Sequence, residues 1–177
     1  MIGKALLGTV AAAPVAAVVL VGSLLGATGG VAGGGAAAGV PAAGPETGAD
    51  IPPEMLGLYR AAAVTCPGLA WEVLAGIGRV ETDHGRDVAV SSAGAEGPMQ
   101  FMPATWAEYG VDADGTGTAD INDPADAVFG AARMLCADGA GSAAGVPGAV
   151  FAYNHSVAYV SAVLRWAATY TSVYGPN

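Results

Sequence analysis

Basic residues are scarce in this 177-residue chain: six Lys and Arg stand against fifteen Asp and Glu, a formal net charge of −9. Nucleic-acid surfaces select for clustered cations, so the balance argues against that class of partner. Large apolar side chains are also fewer than they look. Hydrophobic residues reach 53%, but many are alanine, and there are 28 glycines. Small side chains bury little area each, so the figure overstates the core the chain can build. Cysteine occurs only at Cys66 and Cys136, so none stands near the N-terminus to accept a lipid. No segment alternates apolar and polar residues persuasively, so a sheet is not expected. There is no internal repeat.

What is present begins with residues 1–27, which carry one cation, Lys4, and then no charge. From Ala5 to Ala27 the run is long enough to span a bilayer, and small residues along it leave no distinct cleavage site. The segment is expected to be either a signal peptide or an N-terminal membrane anchor. Residues 28–50 are Gly-, Ala- and Pro-rich and lack core-forming side chains, which predicts a flexible linker. The folded unit is then 51–177. In an exported protein its two cysteines, if paired, close a loop of about 70 residues and constrain the unfolded chain by about 4 kcal/mol at best. Two buried thiols are the alternative; the export signal favours the bridge.

Start and stop signals predict an all-α unit. Pro52 and Pro53 open a helix running toward Thr65. A second runs from near Leu69 to Gly85 as C-terminal cap. Pro103 opens a short third helix that ends at Gly110. Asp123 and Pro124 form an N-cap and first turn for a helix reaching Gly139. Pro147 opens a short helix to about Tyr153, and a last helix covers 156–175.

The second helix holds the first candidate for chemistry. At about 100° per residue, with Ile77 at zero, Leu69, Ala70, Val73, Leu74 and Val80 share one arc. Glu72, Arg79 and Asp83 fall opposite, on an expected solvent face. Glu81 falls at about 40°, inside the apolar arc, and His84 joins it. A buried, unpaired carboxyl has a raised pKa, which suits a general acid at neutral pH. The alternative is a structural glutamate paired with an arginine such as Arg86 or Arg133.

Downstream lie "SSAGAEGPMQFMPATW", residues 91–106, and "AYNHS", residues 152–156. Together with "VET" at 80–82, in this order, they resemble the catalytic domain of bacterial lytic transglycosylases. These are members of the lysozyme-like superfamily that cleave peptidoglycan. The resemblance covers roughly residues 66–170, and the flanking "CPGLAWEVLAGIGRVE" and "MLC" are similar to small exported actinobacterial forms, which pair the corresponding cysteines. It implies a lysozyme-like helical domain with a glycan-binding cleft, peptidoglycan glycan strands as partner and no required cofactor. It implies Glu81 as the single catalytic acid and Ser91 as a contact to the sugar beside the scissile bond. Met99 and Gln100 would line the cleft, with Gln100 a hydrogen-bond partner near the glutamate. Tyr153 would hold the catalytic carboxyl and Asn154 would neighbour it. His155 and Ser156 depart from the small residues usual after the Tyr-Asn pair, which bears on the length of glycan accepted.

One carboxylate suffices for the chemistry so implied. Ordinary glycosidases use two, about 5 to 9.5 Å apart. A lone acid protonates the glycosidic oxygen and then takes a proton from the sugar's own 6-hydroxyl, leaving a 1,6-anhydro-muramoyl end. Proximity favours that internal attack. The rival enzyme reading is a hydrolytic muramidase of the same fold, its second carboxylate drawn from Asp83, Asp87, Glu96 or Asp112. A non-catalytic peptidoglycan-binding protein is the reading from another class. The expected location is the cell envelope or the extracellular space.

Residues 112–123, "DADGTGTADIND", nearly match a calcium loop. Asp112, Asp114, Asp120 and Asp123 take positions one, three, nine and twelve, and Gly117 takes the glycine position. Thr116 stands at five, and Asp123 competes as a helix N-cap. The expectation is a structural Ca2+ site, against an acidic surface turn.

Overall fold

The computed structural model describes residues 51–175. They form six helices: α1 Pro53–Ala63, α2 Trp71–Thr82, α3 Pro103–Tyr109, α4 Pro124–Ala137, α5 Val146–Asn154 and α6 Val157–Tyr174. Among the described residues the one extended pairing is a bridge between Glu96 and Phe101. The all-helical expectation holds. Proline sits in the first turn of α1, α3, α4 and α5, where its missing N–H costs no helical bond. Asp123 caps α4 by accepting from the backbone N–H groups of Ala125 and Asp126. Ser156 caps α6 through the N–H of Tyr159.

Helix α2 runs through the centre. Every residue from Trp71 to Gly78 is buried, which no single apolar stripe would achieve. Two glycines make this possible. A Cβ on Gly76 would stand 2.6 Å from the carbonyl oxygen of Val163, and one on Gly78 would overlap the hydroxyl of Tyr59. The backbone of α2 therefore touches α6 on one side and an α1 side chain on another. Trp71 packs on Tyr170 and Tyr174 while Glu81 meets Tyr159, so α6 crosses α2 in the opposite direction.

This packing corrects the solvent face expected for Glu72. The residue is 4% exposed, and its Oε2 has no hydrogen-bond partner. The face that looked polar is the one α6 covers. A single-helix periodicity cannot register a helix buried all round.

Helix α2 also ends earlier than Gly85. Asp83 turns left-handed at φ 50°, and the N–H of His84 reaches back to the carbonyl of Gly78 at 2.9 Å. The helix end thus closes on a carbonyl six residues back, with Asp83 and His84 both in the left-handed region where glycine is commoner. Asp83 is held there by ion pairs to Arg79 and Arg86.

Cys66, just past α1, and Cys136, in the last turn of α4, form a disulfide with Cα atoms 5.7 Å apart. It closes a sequence separation of 70 residues and fixes α1 to α4. The bridge expected from the cysteine pair is present.

The transmembrane expectation is corrected: among the described residues no helix is long and apolar enough to cross a membrane. The segment that prompted it, residues 1–27, and the linker expectation for 28–50 lie outside the described residues.

Candidate active site

Glu81 occupies the last turn of α2, half-buried, where the helix meets the start of α6. Its Oε1 accepts a 2.6 Å hydrogen bond from the hydroxyl of Tyr159. Burial raises the carboxyl's pKa from 4.5 to about 7, against the opposing pull of that hydrogen bond. Burial outweighs the hydrogen bond because taking the charge out of water destabilises the ionised form, while one phenol donor restores only part of its solvation. Tyr159 is itself 7% exposed, and burial and the adjacent carboxylate push its phenol far above its ordinary range. It remains a donor wherever a protein stays folded.

A tier of aromatics braces this pair. The ring of Tyr153 lies parallel to that of Tyr159, centroids 6.5 Å apart and planes within 5°. Phe101 meets Tyr153 edge-on, and Trp106 meets Phe101 likewise. The hydroxyl of Tyr153 donates to the carbonyl of Met99 at 2.8 Å, so the phenol that touches Glu81 is that of Tyr159. Its sequence signal is modest: a tyrosine in the first turn of a helix, three residues after the Ser156 cap and six after Tyr153.

The end of α2 is tied to the glycine-rich loop. Thr82 Oγ1 donates to the carbonyl of Pro98 at 2.6 Å and accepts from the N–H of Gly85 at 2.9 Å. His84, 2% exposed, is clamped between the hydroxyls of Tyr59 at 3.1 Å and Tyr170 at 2.8 Å. Periodicity put His84 in the apolar arc but could not reveal these two phenols from α1 and α6.

The other candidates divide by what their side chains do. Gln100, with φ 50°, uses its Nε2 to donate to the carbonyls of Ala89 and Gly97, both at 3.0 Å. Ser91 Oγ accepts from the N–H of Ala95 and closes the 91–95 turn. Met99 is fully buried, beneath the site. Asn154 ends α5 half-exposed, with no side-chain hydrogen bond among the described residues. All four non-glycine residues with positive φ among the described residues, Asp83, His84, Gln100 and His155, adjoin Glu81 or the two motifs. Strain of this kind gathers where geometry serves a site.

No second carboxylate perturbs Glu81. Asp83 is engaged by Arg79 and Arg86, and the backbone of Glu96 is paired with that of Phe101. Asp112 accepts from the N–H groups of Gly115 and Gly117. A separate concavity of about 370 Å³ beside the disulfide is lined by Thr65, Val111, Phe129, Arg133 and Cys136. It holds no acid and has no bearing on this chemistry.

The acidic loop gathers a donor set different from the expected one. Asp112, Asp114 and the fully buried Asp126 bring oxygens within 4.8 Å of one another. Asp126 accepts from the N–H groups of Ala113 and Asp120. A backbone hydrogen bond from Thr116 holds the Asp114 carboxyl below its ordinary pKa. Asp123 is spent on the α4 cap, Asp120 turns to Asn122, and Thr116 Oγ1 donates to the carbonyl of Thr118. Three convergent carboxylates are hard-oxygen chemistry of the kind calcium takes.

The described residues thus form an all-helical domain with one desolvated glutamate at a helix end. Within it, residues 70–146 match the family described as transglycosylase SLT domain, a stretch that includes Glu81, Ser91, Met99 and Gln100. That stretch of the chain is similar to the transglycosylase SLT domain. Among solved structures, the Escherichia coli lytic transglycosylase Slt35 in complex with calcium is similar at 17% identity and TM-score 0.57, covering 72% of this chain and 77% of that one. The same enzyme in complex with bulgecin A matches at 18% and 0.57, covering 76% and 81%. A 36 kDa muramidase/transglycosylase matches at 17% and 0.56, covering 72% and 78%. At these identities the likeness is one of fold. No curated protein matches the chain.

Proposed function

We propose that this protein is an exported peptidoglycan lytic transglycosylase acting at the cell envelope. It cleaves the β-1,4 bond between MurNAc and GlcNAc and leaves 1,6-anhydro-muramoyl ends. The observation that carries the reading is Glu81, desolvated to a pKa of about 7 and held by a phenol on one oxygen. Because Tyr159 donates to Oε1, the acid proton belongs on Oε2. From there it passes to the glycosidic oxygen as the muramoyl C1–O bond breaks and the GlcNAc 4-hydroxyl departs. The ionised carboxyl, still held by Tyr159, then accepts the proton of the muramoyl 6-hydroxyl as O6 bonds to C1. One group is acid and then base, and its proton is restored.

The remaining candidates take two roles. Ser91, Gln100 and Asn154 are assigned to the glycan, while Met99 and Tyr153 keep the Tyr159 ring in place. A hydrolytic muramidase needs a second carboxylate poised near Glu81; Asp83 is engaged by Arg79 and Arg86, and Asp112 by the N–H groups of Gly115 and Gly117, which favours the internal attack. Any calcium held by Asp112, Asp114 and Asp126 is structural and enters no step. Glu81→Gln tests the reading: it keeps size and polarity but cannot transfer a proton. The variant should stay folded and lose detectable wall digestion, since general acid–base catalysis alone is worth about 10² to 10⁴. Full activity would end the enzymatic reading.

A further inference from the structure

The end of α2 holds a buried group that the proposed reaction does not use. Asp83 and His84 are consecutive left-handed residues, φ 50° and 60°, a conformation in which a Cβ crowds the following carbonyl. Asp83 is held there from the solvent side by Arg79 and Arg86. His84 is held from inside. It is 2% exposed, and its ring nitrogens meet phenols from two other helices. Nδ1 lies 3.1 Å from the hydroxyl of Tyr59 in α1, and Nε2 lies 2.8 Å from that of Tyr170 in α6. A neutral imidazole offers one donor and one acceptor, and a phenol serves as either. A buried polar group with its partners in place rigidifies its surroundings.

Both ties of His84 lead back to one residue. Its N–H donates to the carbonyl of Gly78 at 2.9 Å. Its ring fixes Tyr59, whose hydroxyl would overlap a Cβ on Gly78. Between Gly78 and His84 lies the turn that carries Glu81, so that turn is closed once through the backbone and again through side chains. Helix α6 bonds to the same turn at two points: Tyr159 donates to Glu81, and Tyr170 meets His84. These two tyrosines stand about 16 Å apart along one face of α6. A helix fixed at two such points can neither slide along the end of α2 nor roll on it. Glu81 is half-buried, so a small turn of its backbone would carry the carboxyl away from Tyr159 and into water.

We infer that His84 is a positioning residue: with Tyr59 and Tyr170 it locks the last turn of α2 and so aims the Glu81 carboxyl at Tyr159. This rests on Glu81 as the reacting acid and adds the group that holds it in place. The test follows the carboxyl itself. In the full chain, labelled at its glutamate carboxyls, the Glu81 signal is the one missing from Glu81→Gln, and NMR records it against pH. The wild-type midpoint should lie at about 7. His84→Gly suits the left-handed backbone and removes the ring. Its midpoint should fall by about one unit or more as the carboxyl meets water. On peptidoglycan its kcat should drop roughly 10- to 100-fold with KM within about twofold, since a displacement of about 1 Å can cost about 10²-fold. Tyr170→Phe loses one hydroxyl but keeps its ring on Trp71 and Trp166. It should move the midpoint the same way by less, and it decides alone if His84→Gly does not fold. His84→Gln, whose amide restores a donor and an acceptor, should recover most of the midpoint and of kcat. A loss of global stability would leave the titration of the folded protein where it was. An unmoved midpoint in either His84→Gly or Tyr170→Phe would therefore overturn the inference, as would equal losses in His84→Gly and His84→Gln. A wild type that titrates as expected but cuts no glycan would end the lytic reading, while the titration still decides the clamp.

Discussion

Glu81→Gln should make the protein more stable at neutral pH, and the size and sign of the gain follow from the desolvated carboxyl. Below pH 4.5 the carboxyl is protonated in both the folded and unfolded chains, and Glu and Gln are near equivalents. Between 4.5 and about 7 the unfolded chain ionises while the folded one does not, so wild-type stability falls as pH rises. Above about 7 both states are ionised and the deficit is constant. The interval corresponds to about 3 kcal/mol at most, and the open edge of the half-buried side chain reduces it. Glutamine keeps the Tyr159 hydrogen bond, because its amide oxygen accepts from the phenol, and carries no charge to desolvate. For a domain of this size the gain is a rise in melting temperature of roughly 5 to 12 °C at pH 8, shrinking to nothing at pH 4. Thermal denaturation of the two proteins from pH 4 to 9 measures it. Curves that stay parallel across the range would refute the idea that the fold holds this carboxyl protonated.

Three further outcomes are expected. Tyr159→Phe removes a hydrogen bond to the ionised carboxylate, so the alkaline limb of kcat/KM should move above pH 7 and kcat should fall roughly 10- to 100-fold. Tyr153→Phe, which loses only the bond to Met99, should leave that limb in place. Gly76→Ala puts a Cβ against the carbonyl of Val163; overpacking of about 1 to 3 kcal/mol should outweigh the helix-propensity gain of about 1 kcal/mol, lowering the urea midpoint. Millimolar calcium should raise the melting temperature relative to chelator, and Asp112→Asn should abolish the rise; an unchanged wild-type melt would mean that hydrogen bonds alone hold the acidic turn.

Helix starts were readable because proline and capping side chains act locally. Asp123 and Pro124 set the first turn of α4 whatever packs against it. The disulfide was readable because two cysteines leave one pairing. What escaped depends on partners distant in sequence. Glu72 looked solvated because α6, about ninety residues on, is absent from any reading of α2 alone. Tyr159 reaches Glu81 across 78 residues, and only the helix crossing brings them together. Asp126 joins the acidic loop from inside α4, outside the twelve-residue window that a calcium-loop pattern inspects. The anomaly of Glu81 itself was visible, since a charge in an apolar arc needs no partner to be noticed.

The mass of the products of wall digestion tests the central claim most directly. Internal attack by the muramoyl 6-hydroxyl leaves 1,6-anhydro ends, lighter by one water than the reducing ends of a hydrolase. Purified peptidoglycan digested by the wild type should yield the anhydro form, with no muramoyl products from Glu81→Gln. Reducing muramoyl ends from the wild type would contradict the account and require a second carboxylate near Glu81.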